Sequence, residues 1–85
     1  MPEVSSFYGI IISMYPGDHN PPHFHVRYNE FRAIIEIEDK KVIGEMPNRA
    51  LKIVFEWLDI HKEELIDNWN ELQKGRPIVK IKPLE

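Results

Sequence analysis

The stretch HFHVRYNEFRAIIEIE, residues 23–38, constrains this chain more than any other. It alternates apolar and polar residues with a period of two on both sides of Asn29-Glu30, the pattern of two antiparallel strands joined by a two-residue turn. That turn sets the register. Tyr28 faces Phe31, Val26 faces Ala33 and Phe24 faces Ile35, which makes one face apolar throughout. The other face pairs Arg27 with Arg32, His25 with Ile34 and His23 with Glu36. A slip of one residue would exchange the faces and bury the histidines, so the register is well specified.

The flanking sequence extends this hairpin in both directions. FYGIIISMY, residues 7–15, is nearly continuous in apolar character and predicts one strand covered on both sides. Pro16-Gly17-Asp18 supplies a turn, and Asn20-Pro21-Pro22 keeps the loop after it extended and stiff. Asp39-Lys40-Lys41 marks another turn before a short strand at Val42-Ile43. Pro47 suits the first turn of a helix. From there the apolar residues Leu51, Val54, Phe55, Leu58, Leu65, Ile66, Trp69 and Leu72 form a helical stripe, which Gly75 and Pro77 stop.

A straight helix over residues 48–73 would be about 39 Å long, longer than the rest of so short a chain. A bend or break near Asp59–Lys62 is therefore expected. Ile53, Trp57 and Ile60 lie off the main stripe. Either this half of the helix is covered twice, or these three residues anchor a partner, a second small protein or another copy of the chain. The closing PIVKIK reads as a short C-terminal edge strand.

The expected architecture is α+β: a small, mostly antiparallel β-meander of three to four strands, packed on a long, bent or broken C-terminal helix. All 85 residues belong to one domain, 1–85. The chain has no cysteine, so neither a disulfide nor a thiolate metal site is available. It shows no apolar run long enough to span a membrane. The reading that follows is a soluble, cytoplasmic protein. The net charge of −3 argues against affinity built on neutralising many phosphates. The tail differs locally, with Lys74, Arg76, Lys80 and Lys82, and suits an edge guarded by lysines.

DHNPPHFHV, residues 18–26, holds three of the four histidines. His23 and His25 are two apart on a strand, so they leave the same face, and His19 sits in the stiff loop before them. Two chemistries fit. One is a divalent metal (zinc, nickel or iron) on His23 and His25 with Glu36, the cross-strand neighbour of His23, as carboxylate ligand. The other is proton transfer in RNA cleavage, with His23 and His25 as acid and base, Arg27 on phosphate and His19 assisting. The same residues also suit a half-covered sheet face whose turn is closed by Asp18 and His19. His61 stands apart, at the margin of the helical stripe.

Three segments carry a resemblance: SSFYGIIISMYPGDHNPPHFHVRYNEFRAIIEIE, RALKIVFEWLDIHKEELIDNW and PIVKIKPLE. Together they resemble the small prokaryotic domain-of-unknown-function family 4160, most specifically through Asp18-His19 and Pro21-Pro22-His23-Phe24-His25-Val26. The resemblance implies a short domain that stands alone and is often encoded beside a second small domain, similar to toxin–antitoxin pairs. It carries no catalytic role to any residue. The expected function is a component of a toxin–antitoxin-like or stress-response module acting through a protein partner, with histidine-based RNA cleavage as its sharp form. A non-enzymatic binding module and a metal-binding protein remain open beside it.

Overall fold

Two-residue turns at Tyr8-Gly9 and Asn29-Glu30 make two of the sheet's four connections. The computed structural model describes residues 3–85. It contains β1 (Glu3–Phe7), β2 (Ile10–Ser13), β3 (His23–Tyr28), β4 (Phe31–Glu36), β5 (Val42–Glu45) and one C-terminal helix, α1 (Asn48–Gln73). The five strands form an antiparallel meander in the order β1-β2-β3-β4-β5. The β3–β4 register has all six pairs expected from the alternation, from Tyr28↔Phe31 to His23↔Glu36.

The strand count corrects the three to four expected. FYGIIISMY is not one strand. Tyr8 and Gly9 both take positive φ, 50° and 79°, the backbone of a type I′ turn, and split the run into the ends of β1 and β2. Strand β1 was hidden by its serines. Its register slips by one residue between Glu3 and Ser5, so its sequence shows no clean alternation.

One face of the sheet carries Ile10, Ile12, Phe24, Val26, Ala33 and Ile35, all buried. Helix α1 lies on this face and contributes Ala50, Val54, Trp57, Leu58, Leu65, Trp69 and Leu72 to a single core. The helix is interrupted at His61, whose φ of −113° and ψ of 20° are not helical, inside the 59–62 window where a break was expected. The molecule's longest dimension is 34 Å, too short for 26 straight helical residues of about 1.5 Å each. At its C-terminal end the helix closes in a Schellman arrangement, with Gly75 N–H donating to Leu72 O and Arg76 N–H to Glu71 O.

The closing PIVKIK does not form an edge strand. Its backbone is claimed elsewhere: Asn68 donates to Val79 O at 2.8 Å and accepts from Val79 N–H at 3.0 Å, while Trp57 Nε1–H donates to Lys82 O at 3.0 Å. Of the tail's described backbone hydrogen bonds, one reaches β1, from Ile81 N–H to Val4 O. The tail is a strap that runs back along the helix from Asn68 to Trp57. Among the described residues, no helix is long and apolar enough to cross a membrane.

Candidate metal centre

The alternation that buries Phe24 and Val26 turns His23, His25 and Arg27 to the opposite face of β3. The loop before β3 folds back over its first residues. Ile37 N–H donates to Pro22 O, pinning the loop's end to the segment after β4. Gln73 Nε2 donates to Asp18 O at 3.3 Å, tying the loop's other arm to the end of α1. The result places the Asp18 carboxylate over both imidazoles.

Asp18 Oδ2 lies 3.1 Å from His25 Nε2 and 3.2 Å from His23 Nε2. The three prospective ligand atoms all fall within 4.8 Å of one another. His23 Nδ1 lies 2.9 Å from Pro21 O. A carbonyl only accepts, so the proton is on Nδ1. Neutral His23 then presents a bare lone pair at Nε2 to a carboxylate oxygen, two acceptors facing each other. A proton shared between them, or a cation, satisfies both. An Nδ1–H held by a backbone carbonyl is also what orients a metal-ligating histidine. Atoms bound tetrahedrally at about 2.0–2.1 Å lie roughly 3.3 Å apart, close to the two separations here.

Packing fixes the rings. His23 packs at a tilt against Trp69, ring centroids 5.1 Å apart, and meets the edge of His25 at 5.4 Å. Tyr15 meets His25 edge-on at 4.7 Å. Exposure rises outward, from 13% for the His23 side chain to 27% for Asp18 and 32% for His25. One side of the cluster therefore faces solvent.

The residues chosen from sequence divide clearly. His23 and His25 converge. Glu36 stands opposite His23 in the ladder but outside the cluster. Asp18 is the carboxylate instead, because the loop returns to the sheet while the ladder holds Glu36 along its own strand. The turn at Pro16-Gly17 and the stiff Pro21-Pro22 were the signal for that return. His19 is exposed and outside the cluster. Arg27 is exposed on the same face as the histidines. His61 pairs with Glu64 at the helix kink and lies against Trp57, ring centroids 5.6 Å apart.

The apolar anchor needs correction as well. Trp57 is fully buried, covered by the C-terminal strap and packed against Phe7 and Phe24. Ile53 is half-buried against the core, and Ile60 alone of the three is exposed. The helix half is covered twice, so these three residues do not form one exposed patch.

The family described as Domain of unknown function (DUF4160) matches residues 9–70, which takes in the whole cluster and most of the helix. No curated protein and no solved structure shows significant similarity to the chain. The chain belongs to the DUF4160 family.

Proposed function

We propose that this DUF4160 domain is a divalent-metal protein, with His23 Nε2, His25 Nε2 and Asp18 Oδ2 as ligands and the solvent side of the cluster as open coordination positions. The observation that carries it is the His23 hydrogen bond to Pro21 O, which turns the Nε2 lone pair on the Asp18 carboxylate. Two histidines and one carboxylate with open positions suit zinc, or iron in a facial arrangement. Such a centre would polarise a bound substrate oxygen or lower the pKa of a bound water.

The geometry favours this over histidine acid–base cleavage of RNA. A general acid and a general base work on different atoms of the reacting group. Here both Nε2 atoms address one oxygen of Asp18, and His23 has its other nitrogen occupied. The toxin–antitoxin-like, two-gene setting is proposed on the family resemblance alone, with this chain as its metal-dependent member.

Calorimetric titration of untagged, chelator-stripped protein with zinc, and cobalt(II) absorbance as a second readout, test the reading. Wild type is expected to bind one equivalent. His23→Ala, His25→Ala and Asp18→Asn should each weaken binding at least about 10-fold, the scale on which even supporting contacts matter, while Glu36→Gln should not. No binding by the wild type, or equal binding by Asp18→Asn, would overturn the assignment.

A further inference from the structure

The loop before β3 covers the His23–His25 end of the outer face of the sheet, and Arg27 and Arg32 beyond it are exposed. The side chains of this face run in two cross-strand rows. One row is Glu3, Ser13, His25, Ile34 and Ile43, and the next is Ile11, Arg27, Arg32 and Glu45. Together with Tyr15, most of these line a concavity of about 490 Å³, within the size range of small-ligand sites.

At its middle Arg27 stands directly across the ladder from Arg32. Like charges in that position repel and destabilise a sheet. Neither guanidinium has a carboxylate within ion-pair distance among the described residues, although Glu45 neighbours Arg32 in the ladder and Glu3 lines the groove. Glu3 is engaged by Lys80 instead, at 3.9 Å. Two adjacent, rigid forks of N–H donors match one tetrahedral oxyanion, which both can grip bidentately. Ile11, Ile34 and Ile43 give the rest of the groove an apolar floor.

From this we propose that the outer face binds a phosphate monoester of nucleotide size. The phosphate sits on Arg27 and Arg32 and the organic body on the isoleucine floor. The overall charge of −3 favours such a ligand over a polynucleotide, whose affinity needs many neutralised phosphates. His25 belongs both to this groove and to the candidate metal cluster. It lies one strand repeat, about 7 Å, from Arg27. The same ligand is therefore the substrate class for the metal centre, and this last step alone rests on the metal reading.

Adenosine 5′-monophosphate is the probe and adenosine its control, titrated calorimetrically into zinc-loaded and chelator-stripped protein. The nucleotide should bind at least about 10-fold more tightly than the nucleoside, since a bidentate charged pair supports at least that discrimination. The exposed-site variant Arg27→Gln/Arg32→Gln should lose that difference while keeping the wild-type circular dichroism spectrum and zinc affinity. Equal binding of nucleotide and nucleoside, or undiminished nucleotide binding by the double variant, would overturn the phosphate site. Tighter nucleotide binding by the zinc-loaded form supports the shared site. Identical binding with and without zinc, in protein shown to hold zinc, would overturn the link to the metal. Protein that takes up no zinc yet binds the nucleotide through the arginines would overturn the metal reading and leave the phosphate site standing.

Discussion

His23 lies against Trp69, ring centroids 5.1 Å apart and planes inclined at 53°. The contact joins a prospective metal ligand on the sheet to the core face of the helix, where Trp69 is 2% exposed. A charge arriving at His23 Nε2 therefore changes the field at an indole, and tryptophan emission should report it. Zinc is expected to alter the fluorescence of wild type and of Trp57→Phe, but not of Trp69→Phe. Loss of the packing that orients His23 should also weaken zinc binding about 10-fold in Trp69→Phe, the lower end of the range for groups that support a ligand. An unchanged zinc response in Trp69→Phe would show that His23 is not the ligand beside it.

The strap makes a separate prediction. Asn68 is 3% exposed, and its amide both donates to and accepts from Val79. Asn68→Ala removes both bonds, and because Val79 is exposed its freed N–H and C=O can turn to water, so the cost should be about 0.5–1.5 kcal/mol per bond. Trp57→Ala removes a fully buried indole and should cost about 3–5 kcal/mol. Urea denaturation of both variants checks this. A cost near zero for Asn68→Ala would mean that the tail does not hold to the helix in solution.

Sequence alone located the cluster's two histidines and missed its carboxylate, for a physical reason. Ladder partners follow from period-two alternation, so Glu36 opposite His23 was legible. The path of the 14–22 loop has no period, so Asp18 joined the cluster only once the fold was known. The same distinction explains the strands. β3 and β4 alternate cleanly around Asn29-Glu30 and were read in register. β1 and β2 were fused because Ile10-Ile11-Ile12 is apolar on both faces, and Tyr8 is no common turn residue. The helix and its break were visible as a stripe too long for the domain. That Trp57 is core was not, because its cover, Lys82, is 25 residues downstream.

At the end of the helix, Arg76 donates to both oxygens of Glu71, at 3.1 and 3.4 Å. This hydrogen-bonded pair, with further help from the charges of Arg76 and Lys74, holds the Glu71 carboxyl below its ordinary value. A carboxyl lowered on folding stabilises the fold above its unfolded pKa, and that contribution is lost as the pH falls through the lowered folded value. Arg76→Gln should return Glu71 toward the ordinary carboxylate range in an NMR titration. The pair is solvent-exposed, so the melting temperature should hardly move. An unshifted Glu71 titration in Arg76→Gln would rule out the ion pair as the cause.

Gly44 ties the edge of the sheet to the arginine groove. Its φ is 114°, and a Cβ there would meet Arg32 O at 2.7 Å and Ala33 Cα at 3.0 Å, both backbone atoms. Backbone cannot swing aside as a flexible side chain can, so alanine at this position must push β5 away from β4. The unfavourable φ alone is of the order of 1–3 kcal/mol, and the displaced pairing at Arg32↔Glu45 and Ala33↔Gly44 adds to it. Gly44→Ala should therefore destabilise the fold by at least about 1 kcal/mol in urea. It should also perturb the amide resonances of Arg32 and Ala33 more than those of His23 and His25, which lie on β3. Zinc binding should survive, since β4 stands between β5 and the strand that carries His23 and His25. Nucleotide binding should weaken, because Arg32 and Ile43 both line the groove. A variant that kept full stability would show that β5 is not docked through Gly44 as described.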